Sequence, residues 1–192
     1  RCRLFGLCGG CSMQHLDVSA QTAAKQRVLE DALWNIGRLK AEILLAPIHG
    51  PSWGYRFRAR LSVRQVPSRG GVLIGFHQRK SSHIVDMRSC DVLPAQVSVL
   101  LEPLRDLIAG LSIADRLPQL EVAVSETATV FVFRNLLPFS ATDIKRLLAF
   151  GDAHGIAVWQ QPAGPDSAVP LRPADADCIH YSVPEFDLRF SY

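Results

Sequence analysis

Tyr55-Arg56-Phe57-Arg58-Ala59-Arg60-Leu61-Ser62-Val63-Arg64-Gln65 alternates without a break between apolar and polar residues. Tyr55, Phe57, Ala59, Leu61 and Val63 fall on one parity, and Arg56, Arg58, Arg60, Ser62 and Arg64 on the other. Successive side chains of a strand point to opposite faces. The stretch therefore predicts a strand with one apolar, buried face and one face carrying four arginines. Pro67-Ser68-Arg69-Gly70-Gly71 is turn chemistry, and a second strand over 72–78 closes a hairpin. A third strand is predicted over 83–86, delivering the chain to Cys90.

Upstream, 17–39 has apolar residues at helical spacing (Val28, Ala32, Ile36, Leu39), with Asp17 or Ser19 as its cap and Gly37 near its end. It is read as a packing helix that buttresses the amino-terminal loop. Downstream, a helix over 95–110 carries Pro103 as a kink. Strands follow over 119–125 and 129–134, then a helix capped by Ser140 and ended by Gly155. A short strand over 156–160 precedes an exposed loop over 161–177 rich in Pro, Ala, Gly and Asp, and a last strand spans 186–190. Hairpins and helices in separate runs predict an α+β fold: a mostly antiparallel sheet with packed helices and an N-terminal Cys-rich metal loop.

The 192 residues, 48% hydrophobic and 20% charged, suit one sizeable globular domain. No apolar run reaches the roughly 20 residues of a membrane span, and no secretion-signal pattern precedes the cysteines. Five cysteines in such a chain point to a reducing compartment, hence a cytoplasmic location, and to metal or redox use rather than disulfides. Both ends read as cut, as expected of a piece of a longer protein.

Cys2, Cys8 and Cys11 form Cys-x5-Cys-x2-Cys, with Gly9-Gly10 inside the tighter pair, and Cys90 lies far downstream. The glycines let backbone amides approach soft sulfur. Three thiolates from one loop and a fourth from a distant segment are a common way of holding an iron–sulfur cluster. Tetrahedral zinc accepts the same four ligands, and a disulfide framework is the third possibility. Spacing cannot separate the metals; the cluster is preferred for its soft, all-thiolate donor set.

Net charge is only +3, but it is unevenly spread. Gly54 to Cys90 holds eight Lys/Arg against the single acid Asp86, and the remainder is net acidic. Arginines interleaved with Tyr55 and Phe76 suit phosphates and unpaired bases. Arg56, Arg58, Arg60, Arg64, His77, Arg79 and Lys80 are therefore candidate RNA contacts, with a merely solvated strand face as the competing reading. Cys178 stands in Asp175-Ala176-Asp177-Cys178-Ile179-His180, where the acids oppose a thiolate, so it is read as an incidental thiol. No phosphate-cradling loop, carboxylate pair or His-Glu-x-x-His motif is present. No catalytic residue is assigned.

Three stretches, Cys2-x5-Cys8-Gly9-Gly10-Cys11-Ser12-Met13-Gln14-His15, Gly54-Tyr55-Arg56-Phe57-Arg58-Ala59-Arg60-Leu61, and Gly75 to Cys90, resemble the iron–sulfur RNA uracil-5-methyltransferases. Within that family the likeness is to the 23S rRNA (uracil-5-)-methyltransferases. It is strong over the first ninety-odd residues and weaker beyond Leu93. The resemblance implies that Cys2, Cys8, Cys11 and Cys90 ligate a [4Fe–4S] cluster. It divides the chain into a metal loop, 1–16, and a central RNA-contacting domain, 17–192, with Cys90 completing the metal site. It also implies a TRAM module and an S-adenosylmethionine-binding methyltransferase domain elsewhere in the same polypeptide, which would be a monomer with 23S rRNA as partner and no membrane association. In the family's chemistry a cysteine adds to uracil C6, C5 takes the methyl group and a base removes the C5 proton, giving 5-methyluridine. Those motifs lie outside this sequence, and Cys178 does not match the nucleophile. The implied function is to position substrate RNA; the alternative is a stand-alone metal-stabilised RNA-binding module or redox sensor.

Overall fold

The computed structural model describes residues 2–67 and 71–191. The alternating stretch forms β1 only from Arg58 (Arg58–Val66), with Ala59, Leu61 and Val63 buried and Arg58, Arg60 and Arg64 exposed; Tyr55 and Phe57, expected on the buried face, precede the strand and are exposed. It pairs antiparallel with β2 (Gly71–Gly75), Ser62 opposite Gly75. The turn predicted at 67–71 lies partly outside the described residues.

On its other side β1 pairs antiparallel with β3 (Gln119–Val124), which pairs antiparallel with β4 (Thr129–Arg134). β5 (Ile156–Gln161) lies parallel to β4, and the two-residue β6 (Val169–Pro170) finishes the sheet in the order β2-β1-β3-β4-β5-β6. The single parallel step needs a crossover, which is supplied by α4 (Ala141–His154). Ser140 and Asp143 cap α4 reciprocally, and Gly155 ends it at φ 65°, a left-handed position that glycine adopts without a Cβ clash.

α2 (Ala95–Ser98) and α3 (Leu101–Ala109) replace the single kinked helix expected over 95–110. The break falls at Val99–Leu100, and Pro103 sits in the first turn of α3, where its missing N–H costs no helical bond. α3 lies against β2 and α4 against β5. The core between them includes Leu61, Ile74, Leu101, Leu104, Ile108, Leu120, Phe131, Phe133 and Leu147, all nearly inaccessible. Each such side chain contributes about 1.5–3 kcal/mol relative to exposure.

The sequence reading needs further corrections. The second strand stops at Gly75, because residues 77 and 78 bridge to Ile84 and Cys8 instead of continuing the hairpin. The strand expected over 83–86 reduces to that one bridge at Ile84, although Val85 N–H donates to the Phe76 carbonyl and Met87 N–H to that of Ile74. The 161–177 loop holds β6 and two single-turn 3-10 helices, and the terminal strand is the second half of a separate hairpin, β7 (His180–Val183) with β8 (Leu188–Ser191). Finally, α1 (Val18–Asn35) is capped by Asp17 as expected, but none of its residues is buried, and Val28, Leu29 and Trp34 are exposed. It reaches the amino-terminal loop through Gln21, whose Nε2 donates to the Leu16 carbonyl, but buries no residue against it; Gly37 lies just past its end and Arg38 takes a left-handed backbone there.

Candidate metal centre and nucleic-acid interface

All four predicted ligands line one cavity. Cys2, Cys8, Cys11 and Cys90 line a small cavity of about 20 Å³ with Phe76 and Met87 in its wall. The loop carrying the first three is shaped locally: Leu4 C=O accepts from the N–H groups of Leu7 and Cys8. Cys90 arrives from the other side, its N–H donating to Ser98 Oγ of α2 at 2.9 Å. Burial pushes the Cys8 and Cys90 thiols up from their ordinary value. Backbone N–H groups oppose this, Gly10 at Cys8 (3.4 Å) and Val92 and Leu93 at Cys90. Such donors favour a thiolate once a metal displaces the proton. Among the described residues, no group of three or more His, Cys, Asp or Glu is gathered closely enough for a single metal ion.

Gly9 and Gly10 seat this loop on the segment after β2. Cys8 bridges Gln78, Gly9 N–H donates to the His77 carbonyl at 2.8 Å, and Arg79 N–H donates back to Leu7 at 3.0 Å. A Cβ on Gly9 would lie 2.9 Å from the His77 carbonyl oxygen, and one on Gly10 2.8 Å from the Phe76 ring. Both positions require glycine for close approach.

The basic residues divide into two groups. Arg58, Arg60 and Arg64 share the exposed face of β1, and Arg60 is paired at 3.0 Å with Glu121, directly across on β3. His77, Arg79 and Lys80 are exposed on the turn beside the metal loop. Ser62 joins the groups, its hydroxyl lying 2.9 Å from His77 Nε2. His77 Nδ1 faces the Ser82 carbonyl at 3.1 Å, so Nδ1 carries the proton and Nε2 accepts from Ser62. Arg56 belongs to neither group: it precedes β1, donates from Nη2 to the Gly10 carbonyl at 2.9 Å and lies over the Phe76 ring at 5.2 Å.

Sequence reasoning missed several residues at the centre. Gln14, nearly inaccessible, donates to the Tyr55 hydroxyl at 3.2 Å. Met87 Sδ accepts from Phe76 N–H, and Ser98 anchors Cys90. Their only signal was proximity to the motifs. Cys178 stays apart from the centre; burial and then the Asp175 charge push its thiol up, against a nucleophilic role. No helix among the described residues is long and apolar enough to cross a membrane.

Over its whole length the chain is similar to a segment of longer proteins. It is 60% identical over all 192 residues to proteins of Aromatoleum aromaticum and an Azoarcus species, and 56% identical to one of Burkholderia cenocepacia. All three are named 23S rRNA (uracil(1939)-C(5))-methyltransferase RlmD. The chain spans 44%, 44% and 41% of their lengths. No family model matches it. Its fold is similar to that of a Pyrococcus abyssi tRNA (uracil-54, C5)-methyltransferase solved with S-adenosyl-L-homocysteine, at TM-score 0.54 and 19% identity over 81% of this chain and 37% of the other.

Proposed function

We propose that this chain is the iron–sulfur, RNA-contacting part of a cytoplasmic enzyme that methylates C5 of a uridine in 23S rRNA. The observation that carries this reading is the convergence of Cys2, Cys8, Cys11 and Cys90 on one cavity whose loop is bonded to a basic turn. The relatives' shared name supports the reaction and the substrate.

The donor set fits a [4Fe–4S] cluster. A single tetrahedral zinc, with Zn–S of about 2.3 Å, draws its sulfurs to about 3.8 Å from one another. Here four thiols line one small, largely apolar cavity, and an amide donor at Cys8 stands ready for a thiolate sulfur. The preference for a multi-iron body rests on the soft, all-thiolate donor set and its three-plus-one spacing. When bound, the cluster would supply cross-linking of the amino-terminal loop to the segment at Cys90.

The chain's own residues would bind and orient RNA. Arg58 and Arg64 offer charge to phosphates along β1, and Arg79 and Lys80 extend that surface past Ser62 and His77. S-adenosylmethionine, the nucleophile and the base would be provided by the rest of the polypeptide. The test uses full-length protein purified without oxygen. Equal iron and acid-labile sulfide, with methyl transfer from S-adenosylmethionine to a 23S rRNA uridine, is expected. A colourless protein holding stoichiometric zinc overturns the cluster, and absence of transfer to any 23S rRNA uridine overturns the enzyme.

A further inference from the structure

The metal loop and the 76–80 turn flank a shallow groove of roughly 450 Å³, open to solvent, between the Gly9–Gly10 backbone and Arg79–Lys80. Its lining includes two permanent cations and no acid. Phe76 forms its floor, but Gly10 crowds the ring and the Arg56 guanidinium lies over it, so the ring is not open to a stacking base. Both ring nitrogens of His77 are engaged, by Ser62 and Ser82, which makes this histidine a strut and leaves Arg79 and Lys80 to meet a ligand. Lys80 holds a left-handed backbone (φ 54°), unusual for a residue with a Cβ. Gln78 brackets it, donating to His83 and accepting from Ser81. Two neighbouring cations on a fixed turn, facing bare backbone, suit a phosphodiester rather than a base.

One wall of that groove is the cysteine loop itself. Its hydrogen bonds to the turn are the Cys8–Gln78 bridge and the Gly9 and Arg79 backbone bonds, and Arg56 reaches Gly10 from ahead of β1. Away from the turn the loop is anchored by Leu4, Cys8 and Cys11 against the core and by Gln14 on Tyr55, but Leu7 is exposed and Cys2, Cys8 and Cys11 are only partly buried. Without a common partner for its thiols, the loop is held to the turn by a few solvent-accessible hydrogen bonds, each worth about 1 kcal/mol.

Resting on the cluster and RNA reading above, we infer that this groove seats one phosphodiester of an RNA strand through Arg79 and Lys80, and that it exists only while the metal centre holds the loop in place. Cluster loss would then weaken RNA binding without any change at the cations themselves, making affinity responsive to iron supply and oxidants. The groove would be tolerant of base identity.

The test measures the affinity of full-length protein for a labelled, unstructured oligoribonucleotide across a salt series, anaerobically. Arg79→Ala with Lys80→Ala is expected to keep the cluster absorbance and flatten the log–log salt slope by about 1.4, at about 0.7 per phosphate contact. Removing the cluster by chelation should flatten the wild-type slope similarly and have little effect in the double variant. Gly9→Ala, which pushes the loop off the turn with all four cysteines present, should weaken binding while absorbance remains. It decides the matter even where the cluster-free protein unfolds. A Gly9→Ala protein that keeps both cluster and wild-type affinity overturns the coupling, and a double variant with an unchanged slope overturns the phosphate seat. A cluster-loaded protein that binds no RNA overturns the underlying reading as well.

Discussion

Arg56 donates from Nη2 to the Gly10 carbonyl at 2.9 Å, tying the residue just ahead of the sheet to the centre of the cysteine loop. The same guanidinium covers Phe76, whose ring is part of the cavity wall and packs against Gly10. An arginine that alternation assigns to the exposed stripe is thereby turned toward the metal loop. Arg56→Lys keeps the charge but loses the planar fork that bonds and stacks at once. The expected outcome is faster bleaching of the cluster in air with an unchanged salt slope for RNA binding. A flattened slope with normal cluster lifetime would return Arg56 to the RNA-contacting set.

The stripe on β1 should not act uniformly. Glu121 stands opposite Arg60 and forms an ion pair with it, whereas Arg64 lies opposite Leu73 and is exposed. Arg64→Ala should flatten the RNA salt slope by about 0.7. Arg60→Ala should flatten it by less, because Glu121 already offsets part of that charge. Equal effects would mean that RNA displaces the Glu121 pairing, and no effect from either would make the face merely solvated.

How far the sequence could be read depended on where each fold-determining contact lies. β1 was legible because its parity is local and burial follows that parity from Arg58 to Arg64, although Tyr55 and Phe57 on the same apolar parity are exposed ahead of the strand. α4 was legible from Ser140 and Gly155, since caps act within one turn. The early end of β2 was not, because it depends on Val85 and Cys8 reaching 76–78 from distant parts of the chain. The exposure of α1 was hidden for the opposite reason: helical periodicity marks an apolar face but not whether anything in the fold lies against it. At the site, the four cysteines were legible from chemistry alone, while Gln14, Met87 and Ser98 are ordinary residues placed there by tertiary structure.

Gly75 is fixed by that tertiary approach. A Cβ there would lie 2.2 Å from the Val85 carbonyl oxygen and 3.0 Å from Met87 Cγ. Gly75→Ala must push the 84–87 segment off the edge of β2 and shift the approach to Cys90. A loss of about 3 kcal/mol in urea unfolding is expected, as for other overpacked sites. A variant that unfolds at the wild-type urea midpoint would show that the segment moves aside freely.

α1 offers a test of local stability. With half-buried residues at most, its backbone bonds are shielded only lightly, whereas β1, β3 and β4 carry fully buried core residues. Isolated helices of this length are marginal in water. Amide exchange in α1 of this chain should therefore be faster than in β3 and β4 by orders of magnitude. Comparable protection in both would mean that α1 is covered in solution.

Asp143 sets the acid limit of the fold. It is 1% exposed, and burial alone would raise its pKa. The N–H and hydroxyl of Ser112 and those of Ser140 all donate to its carboxylate, and they hold it at about 2 against an ordinary 3.8. A carboxylate depressed in the folded state stabilises fully above its unfolded pKa and loses that contribution as pH falls through the folded one. The stabilisation is about 2 kcal/mol at neutral pH, from about 1.4 kcal/mol per pKa unit. It should decline from near pH 4 and be gone below about pH 2. Asp143→Asn, followed by urea unfolding across that range, should show a deficit of this size at pH 7 that shrinks with acid. A deficit constant with pH would assign the loss to altered hydrogen-bond geometry between α4 and Ser112, rather than to the charge.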